Sequence, residues 1–315
     1  MRSFLIGIFL FILTSHSCFA QSVSHSFIPK EGRLLIVGQQ KDTISEYLKS
    51  IGVVPGGFMV YTSIQKMDGL DGPADQGAGI HHAQYWTSRY PDTVLQIGLY
   101  MVGALDKTIQ GFYDANISKL AKWIKRAKRP VYLRIGYEFD LPENGYDPQR
   151  YRQVFRYIVN RLREEGVDNV AFVWHSAAMT EHRRDFMDWY PGDDCVDWFG
   201  VSLFNPMQIK TAKELVVLAR EHQKPFMVAE STPAGLFSVN AKKEWFRHYF
   251  DFINEVDVKI VCYINSNWNS YSLFRAQNWG DARIQKDPEI KAIWLKETEN
   301  GYLLSSSDLF SKLSR

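Results

Sequence analysis

Cysteine, charge of one sign and long apolar runs are all scarce in this chain, and each shortage removes a class of protein. Three cysteines in 315 residues cannot hold a disulfide scaffold together. No Cys/His spacing matches a zinc site, so no metal is expected. The 37 basic and 35 acidic residues are intermixed and leave a net charge of +2, so no electrostatic footprint of a nucleic-acid binder appears and no nucleic-acid partner is expected. No apolar stretch reaches the roughly 20 residues needed to cross hydrocarbon, so no transmembrane segment is expected. Neither a Gly-x-Gly-x-x-Gly after the first predicted strand nor a Gly-x-Ser-x-Gly elbow occurs, which argues against a dinucleotide fold and an α/β-hydrolase; no cofactor is expected.

What is present reads as an ordinary globular chain, 45% hydrophobic and 23% charged, with enough apolar material for a full core. Met1-Arg2, the apolar run Phe4 to Leu13 and small residues up to Ala20 have the form of a secretory signal peptide over residues 1–20. Cleavage after Ala20 would leave 295 residues (315 − 20), secreted or periplasmic. The alternative is a lipid on Cys18, in the loose lipobox Ser15-His16-Ser17-Cys18, tethering the chain at the cell surface. Cys195 and Cys262 fall in or beside predicted strands that are not neighbours, so two free, buried thiols are expected. Nothing in the sequence specifies an oligomeric state.

Apolar or β-branched runs recur eight times, at residues 34–38, 57–62, 94–102, 131–139, 170–176, 196–204, 225–231 and 258–265. Between them lie helical periodicities: Ile117, Leu120, Ile124; Tyr151, Val154, Phe155, Ile158, Leu162; Leu215, Leu218; Trp245, Tyr249, Phe252; Ile290, Ile293. Asp147-Pro148 is an N-cap and N1 pair opening the second of these, and Gly166 closes it. Strand and helix alternating eight times predicts one α/β domain, a (β/α)8 TIM barrel over residues 21–315 with a short C-terminal tail. The Gly/Asp-rich stretch 68–79 is then a loop on the catalytic face, a flexible lid rather than a calcium loop. The adjacent His81-His82 side chains diverge on any regular element and read as loop or pocket wall rather than metal ligands.

In such a barrel chemistry sits where strands end at the C-terminal face. Most glutamates fall in helical or loop patterns, but Glu138 ends the fourth run and Glu230 the seventh. A carboxylate at the tip of an apolar strand costs desolvation unless a partner or a function compensates. The structural reading is a salt bridge, for instance Glu138 with Arg134. Strand alternation gives Arg134, Gly136 and Glu138 one parity and Phe226, Val228 and Glu230 another shared one, which would turn both carboxylates into the barrel mouth. A close pair supports double-displacement glycoside hydrolysis and a wider pair inversion. The 14% aromatic content supplies more flat faces than a core needs, a composition suited to sugar sites.

These segments resemble glycoside hydrolase family 26, the β-mannanase family of a clan of retaining barrel glycosidases. Arg134 stands four residues before Glu138 as the family's strand-four arginine does before its acid/base. Phe172-Val173-Trp174 is similar to its strand-five motif, Tyr190 to Asp194 with Val196 to Val201 to its approach to strand six, and Lys224 to Glu230 to its nucleophile strand. The likeness spans roughly residues 57–270. Two positions depart: Tyr137-Glu138-Phe139-Asp140 stands where the family has His-Glu-Met-Asn, and the strand-six tyrosine that commonly bonds the nucleophile has its nearest counterpart in Phe204. The resemblance implies Glu230 as nucleophile, Glu138 as acid/base and Arg134 as the group holding a carboxylate, Glu230, ionised. It makes Trp268 a sugar platform, with core packing as the other reading. Trp174 and His175 adjoin and point opposite ways, so His175 is the polar subsite contact or a core histidine; Asn205 and Tyr137 complete the substrate-binding candidates. The expected activity is retaining hydrolysis of a β-linked polysaccharide or oligosaccharide, with endo-β-1,4-mannan cleavage as the first expectation. Mixed-linkage glucan, β-1,3-xylan, an algal galactan, or a binding barrel without turnover are the alternatives.

Overall fold

The computed structural model describes residues 26–179 and 185–314; the leader-like segment and Cys18 lie outside the described residues. Eight parallel strands close on themselves: β1 (Arg33–Gly38), β2 (Gly57–Ser63), β3 (Val94–Tyr100), β4 (Val131–Ile135), β5 (Val170–Ser176), β6 (Trp198–Leu203), β7 (Phe226–Ser231) and β8 (Ile260–Ile264). Each pairs with its sequence neighbours, and the register Leu34↔Ile260 to Gly38↔Ile264 shuts β1 against β8. This is a (β/α)8 barrel, as the eight apolar runs predict. Parallel strands buried on both faces read as continuous apolar runs, and β2 is buried at all seven positions.

The crossovers are α1 (Lys41–Ile51), α2 (Ala83–Arg89), α3 (Asp114–Ala127), α4 (Pro148–Glu164), α5 (Gln208–Glu221), α6 (Val239–Val256) and α7 (Pro288–Thr298). Every predicted helical periodicity falls inside one of them. The carboxylate of Asp147 accepts from Arg150 N (2.9 Å) with Pro148 in the first turn, so α4 begins where the cap signal places it. Between β5 and β6 the described residues form a 3-10 turn, Phe186–Trp189.

Two apolar layers result. Side chains such as Ile36, Met59, Tyr132, Val173, Met227 and Cys262 fill the barrel, while Ile97, Leu133, Val228 and Val261 pack outward against the helices. The N-terminal end is stoppered by the chain's own ends. Phe27 O accepts from Tyr132 Oη (2.7 Å), Ser26 O accepts from Trp198 Nε1 (2.5 Å), and Pro29 forms an antiparallel bridge with Leu313. The opposite end is left to the βα loops. Cys195 and Cys262 are free and buried.

Ala74–Asp75 of loop 68–79 pair with Ile80–His81 as a short antiparallel hairpin, so the stretch carries some regular structure. His81 is buried and His82 points away from it, toward Asp71 O (3.2 Å). Nδ1 of His81 accepts from Tyr61 N (3.3 Å), and burial pushes its pKa down to about 4, so it is a neutral wall residue.

Candidate active site

Arg134 is the centre of the site. It points into the barrel from β4, wholly buried, and forms an ion pair with Glu230 on β7. Of the two partners open to Arg134 in sequence, the structure selects Glu230 and not Glu138. Tyr61 and Tyr137 lie over the guanidinium, with ring centroids 5.0 and 5.2 Å from Cζ. Gly98 on β3 makes room: a Cβ there would meet the Tyr61 ring at 2.5 Å and Arg134 Nη2 at 2.9 Å. Burial opposes the positive charge, but Tyr61 and Glu230 more than offset it, and the guanidinium's pKa lies above its ordinary value.

Glu230 faces inward for a reason that simple alternation misses. Val228 packs outward and Ala229 inward, so unbroken alternation would turn Glu230 out of the barrel. A bulge intervenes: Val201 pairs with Val228 but Ser202 pairs with Glu230, leaving Ala229 as an extra residue. Its carbonyl accepts from Gln96 Nε2 (2.8 Å) across the barrel, which satisfies the group that the bulge leaves unpaired. Ala229 and Glu230 therefore both face inward, and Ser231 turns out to bond Tyr249 (2.7 Å).

Glu138 also departs from expectation. β4 ends at Ile135 rather than running to Phe139, and Gly136 (φ +55) and Glu138 (φ +53) both adopt the left-handed region. The conformation costs roughly 1–2 kcal/mol at a non-glycine residue, so it needs outside support. Asn144 Nδ2 supplies it, donating to Tyr137 O (3.2 Å) and Glu138 O (2.9 Å). Phe139 N donates to His175 O (3.1 Å), and the Phe139 ring stacks on Trp174 (4.3 Å, 10°). Asp140 accepts from Ser176 Oγ (2.8 Å) and Ala177 N (2.6 Å). The loop is thus tied to β5, and Glu138 Oε1 accepts from Ser202 Oγ (2.7 Å), whose Cα is the partner of Glu230. Burial first, then the charge of Glu230, push the Glu138 pKa up to about 8.

The other expected residues divide. His175 faces the barrel beside Arg134 and is fully buried, with Nδ1 3.2 Å from Arg134 Nη1 and Nε2 3.0 Å from Ser202 Oγ. Trp174 points outward, so the pair splits as alternation requires. Tyr137 is half-buried beside Tyr61, Tyr100 and His175. Asn205 is exposed in the loop after β6, its Oδ1 accepting from Met207 N (3.0 Å), a turn contact rather than one aimed at the carboxylates. Trp268 is 2% exposed, set against Phe274 and Trp279 (centroids 4.6 and 5.0 Å), with Nε1 donating to Thr232 Oγ1 (3.2 Å). Its contacts are those of the packing reading. Phe204 packs half-buried on Trp279 (5.1 Å). Ser202, Tyr61 and Asn144 were not singled out in the sequence. A lone serine at the inward parity of β6, shared with Trp198 and Gly200, was the available signal for the first.

A closed parallel barrel with one end stoppered, and two carboxylates gathered at the other, one ion-paired and one with a raised pKa, defines a glycosidase of the two-carboxylate type. Comparison with known proteins refines this. Residues 91–276 match the model of glycosyl hydrolase family 26. A β-1,3-xylanase of an Alcaligenes species is 35% identical over 93% of this chain and 69% of that one. A β-1,3-xylanase of a Vibrio species is 34% identical over 93% of this chain and 71% of its own. The solved structure of a GH26 β-mannanase from Bacteroides ovatus superimposes with a TM-score of 0.68 at 17% identity, covering 92% of this chain and 97% of that chain, a likeness of fold. The chain belongs to glycosyl hydrolase family 26 and is a retaining glycoside hydrolase acting on a β-glycan.

Proposed function

We propose that this enzyme cleaves β-1,3-linked xylan by double displacement, with Glu230 as nucleophile and Glu138 as acid/base. The observation that carries the reaction is the asymmetry of the two carboxylates: Glu230 is ion-paired to buried Arg134, while Glu138 has its pKa raised to about 8 and accepts one neutral hydroxyl. A carboxyl that burial keeps protonated is suited to give the proton, and a carboxylate fixed beside a guanidinium is left to attack. In the first step Glu230 attacks the anomeric carbon and Glu138 gives its proton to the departing oxygen. In the second, Glu138 takes a proton from water as that water attacks the glycosyl-enzyme, which frees Glu230 and regenerates the acid.

The substrate moves from the first expectation. Mannan was suggested by the family as a whole, whereas two relatives about a third identical over nearly all of this chain are named β-1,3-xylanases. The leader-like run Phe4 to Leu13 supports export of the enzyme to meet an insoluble polymer. One experiment tests substrate and location together. β-1,3-xylan, β-1,4-mannan and mixed-linkage glucan are incubated separately with cell-free supernatant and washed lysate, and products are resolved by chromatography. Xylan oligomers released by the exported fraction are expected. Release from mannan alone would overturn the substrate, and activity confined to the lysate would overturn export.

A further inference from the structure

The two carboxylates are joined by a continuous line of side chains, Glu230–Arg134–His175–Ser202–Glu138, of which the double-displacement scheme itself uses only the ends and the arginine. The link Arg134 Nη1 to His175 Nδ1 is 3.2 Å, His175 Nε2 to Ser202 Oγ 3.0 Å, and Ser202 Oγ to Glu138 Oε1 2.7 Å. Each step has a forced polarity. A guanidinium has donors and no acceptor, so the nitrogen facing it, Nδ1, carries a lone pair. A neutral imidazole then has its one hydrogen on Nε2, which donates to Ser202 Oγ. The serine hydroxyl, having accepted, is left to donate, and Glu138 Oε1 is the acceptor in reach. His175 and Ser202 are both 0% exposed, so water does not compete for these positions. Burial and then the charge of Arg134 hold the His175 pKa well below its ordinary value, which keeps the ring neutral.

We propose that His175 and Ser202 are positioning residues for the acid/base: Arg134 fixes the Nε2–H tautomer of His175, which makes Ser202 a permanent donor to Glu138 Oε1 and confines the transferable proton to Oε2. The inference rests on the assignment of Glu138 as acid/base. One oxygen then performs both proton transfers, to the leaving group in the first step and from water in the second, while the other stays anchored. The polarity also tunes the acid, since a donor on Oε1 favours the carboxylate and opposes burial and Glu230, which favour the protonated form. Among the described residues, the charged and titratable groups facing Glu138 are Arg134 of β4, Glu230 of β7, His175 of β5, Tyr146 ahead of α4, and Tyr137 and Asp140 of its own loop. Among the described hydrogen bonds, Ser202 is the donor to Oε1.

The test is the pH profile of Ser202→Ala against the wild type. In kcat/KM on a β-1,3-linked oligosaccharide the protonated acid is the reactive form, so activity falls as pH rises past the Glu138 pKa. Loss of the donor raises that pKa, and the alkaline limb is expected to move up by about one pH unit. With an activated aryl glycoside, deglycosylation limits kcat and needs ionised Glu138, so the acidic limb should move up by a similar amount. Ser202→Thr, which keeps the hydroxyl, is expected to restore both limbs. In the wild type, 15N NMR should show His175 neutral with its hydrogen on Nε2. Superimposable profiles for Ser202→Ala and wild type would overturn the proposal, and so would a cationic or Nδ1–H His175. Failure of the glycosidase assignment itself would appear elsewhere, as wild-type turnover in Glu138→Ala and Glu230→Ala.

Discussion

Glu230→Ala is expected to be inactive on natural polysaccharide and on activated aryl glycosides alike, whereas Glu138→Ala should fail on the first and still react with the second. The difference follows from the double displacement. Without a nucleophile no glycosyl-enzyme forms however good the leaving group, and the loss should be on the order of 10⁴-fold or more, the scale reached when a covalent catalyst is removed. Without the acid, a leaving group that departs as a stable anion needs no proton. Loss on polysaccharide should then be about 10²- to 10⁴-fold, the usual contribution of general acid catalysis. Added azide distinguishes the two by stereochemistry. In Glu138→Ala it takes the place of the activated water and gives a glycosyl azide of retained configuration. In Glu230→Ala it enters the vacated side and gives the inverted product. The product anomers are read by proton NMR. Swapped anomers would reverse the two roles, and two variants with wild-type turnover would remove the pair from the chemistry.

Arg134→Met should be among the most destabilising single changes in the barrel, by about 3–5 kcal/mol in denaturant unfolding, because it leaves the Glu230 carboxylate buried without its counter-charge. Arg134 is wholly buried and Glu230 nearly so, so solvent does little to screen the loss. The same change removes the fixed partner of His175 Nδ1 and the cation between the rings of Tyr61 and Tyr137, so turnover should be lost with stability. Pairing it with Glu230→Gln gives a sharper test. The double variant no longer buries a charge and should be more stable than Arg134→Met alone, a coupling that a double-mutant cycle measures directly. If Arg134→Met unfolds within about 1 kcal/mol of the wild type, the ion pair is not what holds this end of the barrel.

The architecture was legible because it is a periodic property. Eight predominantly apolar or β-branched runs, separated by stretches with a helical repeat, admit few arrangements other than a closed parallel sheet under a ring of helices, and the cap at Asp147-Pro148 is local chemistry that works the same way in any fold. The two carboxylates were legible for a related reason: a glutamate at the end of an apolar run is out of place on desolvation grounds, and two of them mark one face of a barrel.

The geometry of those carboxylates was not legible. The alternation expected to turn Glu230 inward is broken by the bulge at Ala229, and Glu230 reaches the interior because of that break. The strand expected to carry Glu138 stops three residues short of it, and a left-handed turn swings the side chain to Ser202. Both are local departures of one to a few residues, stabilised by Gln96 on the Ala229 carbonyl and Asn144 on the Tyr137 and Glu138 carbonyls. The choice of Glu230 over Glu138 as the partner of Arg134 is of the same kind. Periodicity reports which side of an element is apolar on average and therefore determines the barrel. Where one carboxylate points is decided by hydrogen bonds from residues as far apart as Gln96 and Ala229, which come together only once the barrel has closed.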